Sequence, residues 1–249
     1  MKGKLAAVLL IAIAALAAGV LAIASGGSAD GAATPAAKPK KPIPFEQHDL
    51  FIEYNATDGD AGLQLNLDAE NWKKFTLRDP RGRVLVNMTA RGRLSHPPHG
   101  LSELFFEASE PPFTQVPFRR FKRLFPEGTY RFSGIAGNGR RMTGSDRLSH
   151  LIPGAPHVIS PTRGAQVDPN GFRVSWDPVR SPAGVKIVSY QVTVKLGKRE
   201  LSMYLPATAT SVAIPGEFLE PGKPLEAEVL ARESSGNQTI TALPPFRTR

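Results

Sequence analysis

Three groups of side chains in this chain have the types and spacing that could do chemistry. Asp58, Asp60 and Asp68 supply hard oxygen donors of the kind calcium takes. A calcium loop begun at Asp58 needs a fifth-position ligand and a twelfth-position carboxylate, and Gly62 and Ala69 stand there. A hairpin turn accounts for Asp58-Gly59 instead, because a tight turn needs positive φ. His96 and His99, in His-Pro-Pro-His, have the spacing of a metal pair. Two prolines prevent the helix on which such pairs sit, so a surface loop is expected. Glu103, Glu107 and Glu110 could supply the paired carboxylates of sugar hydrolysis. Glu103 and Glu107 lie four apart in an expected strand and share a face, which suits a solvated strand edge.

A fourth group is cationic. Arg119, Arg120, Lys122 and Arg123 form the densest basic cluster, interleaved with Phe118 and Phe121. Such a cluster could hold an anionic polymer. At helical spacing Phe118, Phe121, Leu124 and Phe125 turn to one face and the charges to the other, as in an amphipathic helix. Pro117 suits the start of that helix and Pro126 its exit. Other motifs fail. Gly216–Gly222 is mis-spaced for a phosphate loop, and Gly137–Met142 lacks the third glycine of a dinucleotide loop. No Gly-x-Ser-x-Gly elbow occurs. Without cysteine there is no disulfide, thiolate metal ligand or thiol nucleophile. Asn55, Asn87 and Asn237 each begin a glycosylation acceptor triplet.

The elements that must position these groups are strands. Leu50, Ile52 and Tyr54 alternate with Phe51 and Glu53, and Leu63, Leu65 and Leu67 with Gln64 and Asn66. Phe172, Val174 and Trp176 repeat the pattern, as do Tyr190–Leu196 and Leu225–Ala231. Alternation of this kind puts one face in a core and the other in water. Hairpins are predicted at Asp58-Gly59, at Asp79-Pro80-Arg81-Gly82 and at Gly137-Asn138-Gly139. The chain carries 23 Gly and 23 Pro, which suits many turns.

Lys2 and Lys4 precede an uncharged run from Leu5 to Ala24, followed by small residues. That arrangement is expected of an export signal, and the run is also long enough for a retained anchor. Ser25–Pro44 is rich in Gly, Ala, Pro and Lys and reads as an extended tether. The net charge of +9 is spread as +4, +2 and +3 over residues 1–44, 45–152 and 153–249. Neither folded part has the strongly basic balance of a nucleic-acid-binding domain.

Val174-Ser-Trp176, Tyr190-Gln-Val192 and Leu219–Leu225 (LEPGKPL) resemble a fibronectin type III domain over Pro156–Phe246. The resemblance implies a sandwich of about seven strands. Where that family usually has a corner tyrosine bonded to the preceding loop, this chain has Leu225, which can only pack. Asn55–Asp60, Glu103–Glu107 and Phe125–Tyr130 resemble segments of bacterial exported proteins that carry a C-terminal type III domain.

The expected architecture is all-β, two β-sandwich domains in tandem, the first with a short helical insertion, preceded by an N-terminal apolar helix and tether. Residues 1–25 are the signal peptide or N-terminal anchor and 26–44 the tether. Residues 45–152 form a β-sandwich-like domain and 153–249 the type III-like domain. The expected role is non-enzymatic: an envelope protein, exported to the periplasm or cell surface, that binds or scaffolds protein or glycan. A carbohydrate-active or other hydrolytic accessory with a carboxylate or calcium site is the first alternative, and a structural spacer the second. No cofactor, catalytic residue or nucleic-acid partner is expected, and the membrane is met only through the N-terminal segment if that segment is not cleaved. Arg119, Arg120, Lys122 and Arg123 are the expected contact for an anionic partner.

Overall fold

The turns foreseen in the sequence are where the chain reverses. The computed structural model describes residues 41–249 except Pro97, and of Glu70 only the backbone. The expected signal or anchor and most of the tether lie outside the described residues. The first half runs β1 (Ile43–Pro44), β2 (Gln47–Asn55), β3 (Asp60–Arg78), β4 (Val84–Thr89), β5 (Leu101–Glu107), α1 (Phe118–Leu124), β6 (Gly128–Ala136) and β7 (Arg141–Leu148). The second half runs β8 (Val158–Ser160), β9 (Gln166–Val167), β10 (Gly171–Trp176), β11 (Ile187–Leu196), β12 (Arg199–Pro206), β13 (Ser211–Pro215), β14 (Pro224–Glu233), β15 (Gln238–Ala242) and β16 (Phe246–Thr248). The described chain is all-β apart from α1 and two short 3-10 turns. Gly59, Gly82 and Gly139 hold positive φ in the three predicted hairpins, as tight turns require.

One strand does double duty in the first half. The first part of β3 pairs with β2 and β5, and its second part with β4 and β6. The register shifts between Asp68 and Trp72, and Asn71 sits at φ 48 there. Asparagine tolerates this left-handed conformation, so the kink sends one strand from one layer to the other. Its side chain also donates to Pro98 O at 2.9 Å. Between the layers lies a core of Leu50, Ile52, Leu63, Leu65, Trp72, Phe75, Tyr130 and Phe132. From α1, Phe121 enters this core while Phe118 and Phe125 are half-buried. Leu124, expected on the same face, is 53 % exposed because it closes the last turn of a seven-residue helix.

The second half packs a sheet of β13, β10 and β8 against one of β12, β11, β14 and β15. Val174, Trp176, Tyr190, Val192, Val229 and Leu225 fill the space between. Leu225 packs as expected. The corner tyrosine is in the first half instead: Tyr130, in Phe-Pro-Glu-Gly-Thr-Tyr, donates its hydroxyl to Pro126 O at 3.0 Å.

The two halves share a sheet. β15 pairs in parallel with β2, Gln238 opposite Glu53 and Thr239 opposite Tyr54. The path therefore runs β1-β7-β6-β3-β2-β15-β14-β11-β12 without a break. Alternation in β2 placed Phe51 and Glu53 in water, yet they are 1 % and 5 % exposed. Glu228 likewise is 4 % exposed, between Thr193 and Ala242 in register.

The two tryptophans differ in one bond. Trp72 donates its indole N–H to Ser102 O at 2.9 Å, while the buried indole N–H of Trp176 meets no acceptor among the described residues. Trp72→Phe is therefore expected to cost about 1 kcal/mol more than Trp176→Phe, because only the first loses a hydrogen bond. Urea unfolding of both variants checks this, and equal or reversed costs would overturn it.

Candidate functional site

The structure separates the candidates foreseen in the sequence. In α1, Arg119, Arg120 and Arg123 are exposed and Lys122 is half-exposed, with its ammonium 5.2 Å from the Phe118 ring centroid. Phe121 anchors the inner face, stacked on Phe118 at 5.8 Å and close to Phe125 at 4.9 Å. The helix therefore shows four cations outward from a phenylalanine base.

Asp58 and Asp60 do not make a calcium loop. Asp58 accepts from Asn55 Nδ2 in the hairpin turn, and Asp60 is buried at the start of β3. His96 bonds Gly92 O through Nδ1 at 2.9 Å at the end of a 3-10 turn. Two asparagines of the acceptor triplets, Asn55 and Asn237, are equally committed. Asn55 caps the β2–β3 turn, accepting from the N–H groups of Thr57 and Asp58 at 3.0 Å. Asn237 is 1 % exposed, so no glycan can reach it.

Of the foreseen glutamates, Glu107 and Glu110 come together and Glu103 does not join them. Their partner is Glu53, to which no motif in the chain pointed. Oxygens of Glu53, Glu107 and Glu110 all lie within 4.8 Å of one another. The strand register explains this: Glu53 faces Gly62 on β3, and Gln64 faces Glu107 on β5. Glu110 then folds over Gly62, where an added Cβ would run into its carboxylate. Gly62 is the one residue type that leaves room.

Burial sets the electrostatics of this cluster. It pushes the Glu53 carboxyl up to about 7, with Glu107 and Glu228 adding like charge, against hydrogen bonds from Gln238 and Gln64. Burial also raises Glu110, to about 9, helped by Glu107, Glu53 and Asp60. Three carboxylate oxygens this close could close on a divalent cation, or share protons in the way coupled acids do. With protons so strongly favoured, shared protons are the arrangement these surroundings stabilise. Glu53 is 5 % exposed, out of reach of a sugar ring.

A recess of about 550 Å³ lies where the halves meet. Phe51, Asp146, Arg147, Arg232 and Glu233 line it. The Arg232 guanidinium lies 5.0 Å from the Phe51 ring centroid, so this cation is already used in joining the halves.

No family model matches the chain, and no curated protein matches it. Among solved structures, a two-domain fibronectin type III segment of chicken tenascin is similar at 12 % identity and a TM-score of 0.32. That match covers 82 % of this chain and 99 % of the tenascin segment. The first three type III domains of chicken CNTN1 are similar at 11 % identity and a TM-score of 0.34, covering 84 % of this chain and 69 % of that one. At such TM-scores neither likeness carries an argument, and the sandwich architecture rests on strand order and register.

Proposed function

We propose that this chain is a non-enzymatic binding or scaffolding protein that works outside the cytoplasm. In this reading residues 1–25 direct export or anchor the chain, and 26–44 tether two sandwich domains, 45–152 and 153–249. The partner is a protein or anionic polymer of the cell envelope. The observation that carries the reading is the outward face of α1. Arg119, Arg120, Lys122 and Arg123 project from a helix whose packing depends on Phe118, Phe121 and Phe125. Charge on such a face can be changed without emptying the core.

Reversal of all four charges to Glu is expected to weaken retention on an immobilised polyanion and to flatten its salt dependence. Thermal stability should fall little, since only Lys122 gives up a contact, the cation–π pair worth about 0.5–1 kcal/mol. A variant that unfolds, or one that binds as before, would show that the α1 charges are not the contact.

A further inference from the structure

We infer that the outer face of the sheet formed by β4, β3, β6 and β7 binds a linear polyphosphate chain that carries no bases. This surface is separate from α1 and was not foreseen in the sequence, because its cations are scattered along the chain and only the register collects them.

The side chains follow from the pairing. Lys74, Thr76 and Arg78 point outward from β3, opposite Ile135, Ser133 and Arg131 of β6. Ser133 faces Thr143 and Ile135 faces Arg141 on β7, with Ser145 opposite Arg131 and Arg147 opposite Thr129. On the other flank Asn87 and Thr89 of β4 face Thr76 and Lys74. Lys74, Arg78, Arg131, Arg141 and Arg147 are all exposed. Among the described residues none of the five is in a salt bridge. The carboxylates in these strands turn away: Asp79 is buried against Arg83, and Asp146 accepts from Leu50 N.

The pattern has three bands. One end carries Lys74 and Arg141, and the other Arg78, Arg131 and Arg147. Between them Asn87, Thr76, Ser133 and Thr143 run across four strands in a single row. A depression of about 360 Å³ in the middle is lined by Lys74, Thr76, Arg78, Ser133, Ile135 and Arg141. Arg78 and Arg131 stand directly opposite each other, a like-charge pair that costs stability unless an anion lies between them.

The bands select the partner. Four of the five cations are arginines, whose planar fork matches phosphate. The two cationic ends are about 13 Å apart along β3, at ~3.3 Å per residue. Hydroxyl and amide groups fill that gap, so the partner must offer acceptor oxygens continuously along its length. A phosphate chain does so, whereas a carboxylate polymer offers them only at its side groups. Among the described residues no aromatic side chain lies on the face to stack a base or enter a bilayer interface. The strip is only three strand spacings wide, roughly 14 Å, which suits one strand of polymer rather than a membrane plane.

The test uses the whole chain with inorganic polyphosphate as probe. Polyglutamate, heparin, single-stranded DNA and anionic phospholipid vesicles serve as comparators, with affinity measured across salt. Expected is preferential polyphosphate binding that K74E/R131E/R141E weakens by roughly 100-fold at low salt, with a shallower salt slope. The melting temperature should hold or rise, since R131E turns a repulsion with Arg78 into an attraction. R131Q, which only relieves that repulsion, should bind more weakly without loss of stability and so keeps the test decisive should the triple variant fail to fold. Binding lost on reversal of the α1 charges but kept in K74E/R131E/R141E would overturn this inference and leave the α1 reading standing. Loss in the sheet variant alone would do the opposite. Equal affinity for all the polyanions, or preference for DNA or vesicles, would also overturn it.

Discussion

Between pH 5 and pH 8.5 the protein is expected to lose stability, and Glu53→Gln to remove part of that loss, the rest belonging to Glu228 and Glu110. Glu53 and Glu228 are buried carboxyls whose folded-state values stand near 7, above the ordinary 4.5. For Glu228 burial is the main cause and Glu200 adds to it, against the pull of Lys195. A carboxyl raised in the folded state favours the protonated form there. Its contribution is complete below about 4.5 and is lost as pH rises through about 7. Each carboxyl accounts for roughly 3 kcal/mol at most over that window. The charged groups facing Glu53 are Glu107 on β5, Glu110, and Glu228 and Arg232 on β14, with Asp60 on β3 acting on Glu110. Among the charged groups only Arg232 opposes the trend, and the hydrogen bonds from Gln238 and Gln64 oppose it too. In Glu53→Gln the amide oxygen can still accept from Gln238, while the ionisable group is gone. Denaturant unfolding of both proteins at pH 5, 7 and 8.5 checks this. The variant should gain at pH 8.5 and change little at pH 5. A wild-type stability that is flat with pH, or a variant with the same slope, would refute it.

What the sequence made legible was local. Asp58-Gly59, Pro80-Arg81-Gly82 and Asn138-Gly139 name their turns, since few residue types accept positive φ. Trp176 and Leu225 announced a core through alternation. Phe125–Tyr130 held the corner tyrosine in plain view, although the family resemblance directed attention to Leu225. What stayed hidden depends on partners far away in the chain. Alternation shows that Phe51 and Glu53 share a face of β2, but it cannot show that β15 adds to that strand and sets Gln238 beside Glu53. The carboxylate cluster was half visible, as Glu107 and Glu110. Glu53 joins them through the register of three strands, which composition does not encode. The outer cations are spread from Lys74 to Arg147, so only pairing reveals them as one surface, whereas α1 is a contiguous run that the eye finds first.

The join between the halves rests on one amide more than on any apolar contact. Asn237 precedes β15, and its Oδ1 accepts from Ile52 N at 2.8 Å, the backbone of β2. Its Nδ2 lies within hydrogen-bonding reach of Ser149 O at 3.0 Å, Leu151 O at 3.1 Å and Ser149 Oγ at 3.0 Å. Thr239 follows with a bond to Pro153 O at 2.6 Å, so β15 holds the whole connecting segment between the halves. A side chain 1 % exposed with all these partners leaves them unserved when it is removed. Asn237→Ala would strand a buried N–H and carbonyls that water reaches poorly, each costing about 1–3 kcal/mol. The expected loss is about 3 kcal/mol overall, more than shortening a partly buried side chain would bring. Asn237→Asp should not rescue it. One carboxylate oxygen can accept from Ile52, but the other would face carbonyl oxygens where the amide donated. Because the amide bridges the halves, Asn237→Ala is also expected to split unfolding into two transitions, one reported by Trp72 and the other by Trp176, each read with the other tryptophan replaced by Phe. A cost below about 1 kcal/mol, or full rescue by aspartate, would mean that β2 and β15 are held by their backbone pairing alone.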